Sequence, residues 1–179
     1  MTAADNRAGS GGGRLGPADE RPGWDEYFLR LAELAASRST CLRRQVGALL
    51  VADRRVLTTG YNGPPRGLAH CREAGCLRET LDIPSGQRHE ICRAIHAEQN
   101  AILQAAQHGV AIRQATLYCT HQPCAICAKL ILNLDVIRLV LRGVYPDALA
   151  QNLFQEAGFA REEAGDLIIW TRASSDLAN

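Results

Sequence analysis

Long apolar runs are missing from this chain. None approaches the roughly 20 residues that a membrane-spanning helix requires, so no membrane partner is expected. Net charge is nearly missing as well: 20 Lys and Arg stand against 19 Asp and Glu, a formal balance of +1 at pH 7. Such a balance argues against the broad basic face that duplex nucleic acid or an anionic membrane selects. Aromatic residues make up only 5% of the chain, too few for a surface that interleaves rings with basic groups to hold an RNA strand. The first residues show neither a signal-peptide core nor a cleavage pattern, so the expected compartment is the cytoplasm. In that reducing setting the seven cysteines read as thiols and metal ligands rather than as a disulfide framework.

A length of 179 residues suits one domain with a tail. Residues 1–23 are Gly-rich, carry Pro17 and Pro22 and hold almost no large apolar side chain, so a disordered tail is expected there. The folded domain is expected over 24–172, with 173–179 a second short tail. Tyr27, Phe28, Leu31, Leu34 and Ala35 recur at helical spacing and predict an amphipathic helix from Asp25 to about Arg38. The apolar run Val46 to Val51 and the segment Val56 to Tyr61, separated by Asp53-Arg54-Arg55, predict a hairpin that Asn62-Gly63-Pro64-Pro65 ends. Helices are predicted over 96–108, 124–134 and 147–157, and strands over 115–119, 136–141 and 167–170. Alternation of helix and strand after the hairpin implies an α/β fold, a mixed sheet of about five strands with helices on both faces. Between these elements lies a long irregular stretch, Gly63 to Cys92, rich in Gly, Pro and charge. A loop of that length inside a compact domain is usually functional or tied down.

Two short segments carry the chemistry. His96-Ala97-Glu98 and Pro123-Cys124-Ala125-Ile126-Cys127 together read H-x-E … P-C-x-x-C, the pattern of zinc-dependent nucleobase deaminases. One neutral imidazole and two thiolates, from His96, Cys124 and Cys127, can hold Zn²⁺ on three sides and leave the fourth for water. That water becomes far more acidic than bulk water. Glu98, two residues beyond the His, points into the same cavity without being a ligand and can move protons there. Two thiolates at a helix start also gain from its positive end. The bland alternative is a closed structural zinc site, which would want a fourth ligand beside these three.

The segments Arg38-Ser39-Thr40-Cys41, Gln45-Val46-Gly47-Ala48, Gly60-Tyr61-Asn62-Gly63, His96 to Ala101 and Gln122 to Lys129 resemble those of bacterial deoxycytidylate (dCMP) deaminases. The resemblance runs from about Trp24 to Gly158 and places 24–172 in a domain of that type. It implies a three-layer α/β/α cytidine deaminase-like fold, hydrolysis of dCMP to dUMP and ammonia for thymidylate supply, a homo-oligomer and, in some members, dCTP and dTTP as effectors. It implies that Asn62 contacts sugar or base, where the alternative is a turn former beside Gly63. Ala97 joins this substrate-binding set, with Tyr145 packing on the pyrimidine or serving as a rim residue. Arg38, Arg43 and Arg44 stand near the first helix end as phosphate-binding candidates, with Ser39 adding a hydroxyl; a solvated charge cluster is the alternative. Gln107 stands where regulated relatives would carry a basic residue, which puts nucleotide regulation in doubt. Cys119, in a strand, reads as a small buried apolar group.

The remaining thiols suggest a second, structural Zn²⁺. His89 and Cys92 form an H-x-x-C pair, and Cys71 and Cys41 complete the expected set, with Cys76 as substitute. Such a clip would offset the entropy of closing a loop of ~30 residues. Unrelated buried thiols are the alternative. Two other functions compete with the main reading: a tRNA-adenosine or other base deaminase, which the low aromatic content opposes, and a non-catalytic zinc-stabilised binding protein, which an intact Glu98 opposes.

Overall fold

The computed structural model describes residues 21–143 and 147–173. In chain order the elements are α1 (Trp24–Ala36), β1 (Gly47–Ala52), β2 (Arg55–Tyr61), α2 (Cys71–Ala74), α3 (Leu77–Thr80), α4 (Ala97–His108), β3 (Ala115–His121), α5 (Ala125–Leu132), β4 (Val136–Gly143), α6 (Ala148–Glu156), β5 (Ala160–Ala164) and β6 (Leu167–Thr171), with a single 3₁₀ turn at His89–Ile91. The strands form one mixed sheet in the order β2-β1-β3-β4-β6-β5. Only the β3–β4 pair is parallel; the other neighbours run antiparallel.

The sheet has six strands rather than about five. The added one, β5, reads Ala-Arg-Glu-Glu-Ala, and every residue of it is exposed. A strand at the sheet edge with no buried face shows no apolar alternation, and charge is what keeps such an edge from pairing further. The inner strands alternate as a sheet covered on both faces requires. Leu49, Tyr118, Val140 and Ile169 pack with Phe28, Leu29 and Ala32 of α1 on one face. Leu50, Leu117, Leu141 and Trp170 pack on the other with Ala101 of α4, Ile131 of α5 and Phe154 of α6. Asp25 anchors the start of α1: Arg138 donates to both its carboxylate oxygens at 2.7 and 2.8 Å, and the Tyr118 hydroxyl donates at 2.8 Å. The bond to Arg138 holds the Asp25 carboxyl below the usual carboxylate range, against its partial burial. None of the described helices is long and apolar enough to cross a membrane.

The ends of β2, β3 and β4 and the start of β1 lie at one end of the sheet, as the pairs Gly47↔Tyr61 and His121↔Gly143 show. Both metal-motif segments begin there. The metal-motif segments therefore converge above strand ends inside the sheet, since β3 is flanked by β1 and β4. The start of α4 is pinned to β2 in three ways. Gly60 lets the backbones touch: a β-carbon there would lie 2.1 Å from the Ala97 oxygen and 2.5 Å from the Ala101 nitrogen. The Asn100 amide donates to the Tyr61 oxygen at 2.7 Å. Gly63 and Ile95 exchange backbone hydrogen bonds of 3.1 and 2.8 Å, closing the neck of the long insertion just before His96.

Gly60→Ala has no flexible side chain to displace, so helix or strand backbone must shift. It should lower the unfolding free energy by about 3 kcal/mol, measured by urea denaturation; an unchanged midpoint would contradict the close approach.

Candidate active site

His96 and Cys124 occupy equivalent places, each the residue that caps a helix: His96 before α4 and Cys124 before α5. Gln99 accepts a hydrogen bond from the His96 backbone N–H at 2.9 Å. Asp147 reaches across from the start of α6 to accept from the Ala125 N–H at 2.8 Å while capping its own helix at Ala150, 3.0 Å away. These bonds satisfy donors that a helix start leaves open and fix the direction of the capping side chains.

The consequence is a tight triad. The Nδ1 of His96 lies 3.4 Å from the sulfur of Cys124 and 3.4 Å from that of Cys127, and all three ligand atoms fall within 4.8 Å of one another. Zn–N of about 2.0 Å and Zn–S of about 2.3 Å at a tetrahedral angle separate nitrogen from sulfur by about 3.5 Å, so the spacing fits that ion. Two soft sulfurs and an imidazole are also the donor set that zinc selects. Among the described residues this is the only group of three or more candidate ligands that close together. Between the protein groups themselves, a hydrogen bond from Cys127 holds the Cys124 thiol down to about 4, against its burial, and the His96 ring acts in the same direction. Cys127 is pushed up by that hydrogen bond and by burial.

Glu98 is 4% exposed, and burial pushes its carboxyl above the usual range despite the nearby His96. The Cys127 thiol hydrogen-bonds to it, so the carboxyl stands beside the ligand triad. A buried acid with a raised pKa next to a metal site is placed to take and return a proton.

One cavity contains the site. His96, Ala97, Glu98 and Cys124 line one part, and the insertion supplies Leu77, Arg78, Ser85, Gly86 and His89. Asn62 lines it too, with its amide already engaged: Oδ1 accepts from the Val46 N–H and Nδ2 donates to the Arg44 oxygen, both at 2.8 Å. One lone pair and one amide hydrogen remain for a ligand. Arg43 lines the cavity and donates to the Ile83 oxygen at 3.0 Å. Ser39 is buried behind the cavity wall rather than in its lining; its hydroxyl donates to the Asn62 oxygen at 2.8 Å and accepts from the Cys41 N–H at 3.2 Å. It braces Asn62. Tyr145 lies outside the described residues. Cys119 is fully buried in β3, and burial pushes its thiol well up.

The four residues expected to hold a second metal divide. Cys71 is buried, and burial together with the charges of Cys41, Cys92 and Cys76 pushes its thiol up. His89 instead stands edge-to-face on His96, ring centroids 5.0 Å apart. Burial lowers its pKa, so it is held neutral beside the triad. His89 begins the 3₁₀ turn, and Cys92 follows it in extended backbone.

Two residues were missed from the sequence. Gln122 is 3% exposed and lines the cavity, and neither its amide oxygen nor its amide nitrogen has a hydrogen-bond partner among the described residues. Arg78 is 8% exposed, with its Nε likewise without a partner. Burial gave no sequence signal for either; a buried arginine on a four-residue helix has no periodic pattern to betray it.

A family profile described as "Cytidine and deoxycytidylate deaminase zinc-binding region" matches residues 22–142. The chain belongs to this family. Its relatives include a deoxycytidylate deaminase of Schizosaccharomyces pombe, 42% identical over 145 residues that cover 80% of this chain and 45% of that protein. The chain thus spans less than half the length of that relative. A deoxycytidylate deaminase of Mycobacterium phage D29 is 46% identical over 67% of this chain and 94% of its own. Among solved structures, the dCMP deaminase of cyanophage S-TIM5 in complex with dCMP and dUMP superposes with a TM-score of 0.64 at 30% identity, covering 76% of this chain and 93% of that one. The family match takes in His96, Glu98, Cys124 and Cys127, and the described fold carries the helices on both sheet faces that the family likeness led one to expect.

Proposed function

We propose that the protein hydrolyses dCMP to dUMP and ammonia. The observation that carries this reading is the buried Glu98 carboxyl beside three ligand atoms spaced for Zn²⁺. Relatives named deoxycytidylate deaminase, and a solved relative holding dCMP and dUMP, support dCMP as the substrate. His96, Cys124 and Cys127 would hold the ion, which when bound supplies a water acidic enough to react near neutral pH. Glu98 takes a proton from the water that attacks C4 and passes it to N3 of the cytosine. It then moves the proton of the new C4 hydroxyl to the departing amine, so that C4=O forms, the C4–N bond breaks and ammonia leaves. His89, neutral and packed on His96, holds the ligand ring in place from the insertion side. Asn62 and Ala97 meet the nucleoside on the cavity wall, and Gln122 holds an amide that a ligand would complete. A buried amide group left unpaired costs about 1–3 kcal/mol, which favours an occupant with a polar edge.

The same reading includes a cytoplasmic homo-oligomer. Ile126 and Leu130 of α5 and Leu149 of α6 are each 40% exposed or more, apolar surface of a kind that subunit contacts cover. For dCTP and dTTP as effectors the support is weaker, because the exposed Gln107 offers no charge to a triphosphate. We also infer a second, structural Zn²⁺ in the insertion, with Cys41, Cys71, Cys76 and Cys92 as its ligands. All four line one cavity, which supports the set, while no three of their sulfurs stand as close together as the ligand atoms of the first site; Cys76 takes the place that H-x-x-C spacing gave to His89.

Glu98→Ala should keep the catalytic zinc and lose turnover by about 10³-fold or more, measured as ammonia released from dCMP. Near-normal turnover in that variant would end the proposal. Metal analysis of the purified chain should find about two zinc ions per chain, falling to about one in Cys71→Ser; a single ion in the unmodified chain rejects the second site.

A further inference from the structure

We propose that Arg78, carried by the insertion, anchors the anionic end of the substrate, a 5′-phosphate. The inference rests on the deaminase reading of the same cavity. It names the part of the wall that would prefer a nucleotide to a nucleoside.

Charge on the cavity wall is one-sided. Arg43, Arg44, Arg78 and Arg93 line it, and among the described residues Glu98 is its only carboxylate. Glu98 is committed to the metal end. Arg43, Arg78 and Arg93 alone outnumber that carboxylate in a partly closed space, where charges are screened less than on an open surface.

Arg78 is the buried one of these, at 8% exposure. Its Nη2 donates to the Pro84 oxygen at 3.0 Å, and its own backbone oxygen accepts from the Ile83 N–H at 2.8 Å. Arg43 donates to the adjacent carbonyl, Ile83, at 3.0 Å. Two guanidinium groups from different parts of the chain thus grip consecutive carbonyls of one loop, the loop that brings Ser85 and Gly86 to the cavity. Carbonyls orient a guanidinium but cancel none of its formal charge. Among the described residues no carboxylate pairs with Arg78, and its buried Nε has no acceptor. A buried charge without a counter-ion is unfavourable. A phosphate monoester would remove the penalty, because the arginine fork matches two of its oxygens. Arg78 lines the same cavity as His96 and Cys124, so one ligand lying in it can meet both the guanidinium and the metal triad. On this account the insertion is part of the substrate pocket, and its Arg78 reads the phosphate.

The alternative is a loop staple, in which Arg78 only holds Pro84. Titration calorimetry separates the two. dUMP and deoxyuridine are titrated into the zinc-loaded protein, into Arg78→Gln and into Arg78→Lys, with the melting temperature of each recorded. Wild type should prefer dUMP. In Arg78→Gln the affinity for dUMP should fall by about 10- to 100-fold, the scale of a lost charge-assisted contact, and the preference over deoxyuridine should collapse. Arg78→Lys keeps a point charge without the fork and should retain part of the preference, which also serves should the Gln variant fail to fold. An equal weakening of both ligands, or an unchanged preference in both variants, overturns the assignment. A wild type that binds dUMP normally while the variants show no selective loss refutes Arg78 alone; a wild type that binds neither ligand refutes the deaminase reading and Arg78 with it.

Discussion

Everything functional in this fold depends on two helix starts converging above the ends of the strands. A metal with three protein ligands tolerates little slack, and here the slack is removed by backbone. Gly60 lets β2 touch the first turn of α4, the Gly63–Ile95 bridge closes just before His96, and Asp147 ties the start of α5 to that of α6. The ligand side chains then need only short reaches to bring Nδ1 within 3.4 Å of both sulfurs. Helix N-termini also favour negative charge, so the same placement that aims the thiols stabilises them as thiolates. Geometry and electrostatics therefore share a cause.

The insertion between β2 and α4 shares that constraint. Its neck is fixed by the bridge at Gly63 and Ile95, and its body is held against the first loop by Thr40 to His70 at 3.0 Å and by Arg43 to Ile83. Such ties make an irregular segment a wall. One side of it sets His89 against His96, and Cys71, Cys76 and Cys92 line the same cavity as Cys41.

Much of this was legible from residues alone. The H-x-E and P-C-x-x-C segments point to the His96, Cys124 and Cys127 group that the fold brings together, because metal chemistry restricts residue type and offset so strongly. The buried strands were equally plain, since β1 and β4 are covered on both faces and read as apolar runs. β5 was illegible because Arg161, Glu162 and Glu163 leave no buried face to create a period. Spacing gave no sign that the His89 ring packs on His96, because the direction of a ring depends on the turn that carries it. Arg78 and Gln122 were invisible for a related reason: each is buried on a segment without a periodic pattern, and residue type alone reads an arginine or a glutamine as surface. Asn62 shows how two readings can coexist, since its side chain braces Arg44 and Val46 and still faces the cavity.

The central claim is that water, activated at the His96–Cys124–Cys127 site with Glu98 as the proton carrier, replaces the amino group of a cytosine nucleotide. It is tested most directly by incubating the zinc-loaded protein with dCMP in water labelled with heavy oxygen and taking the mass spectrum of the nucleotide product. The account predicts dUMP heavier by one labelled oxygen, with one ammonia released for each dUMP formed. Unlabelled dUMP, or dCMP recovered unchanged from protein whose zinc content is complete, would contradict it.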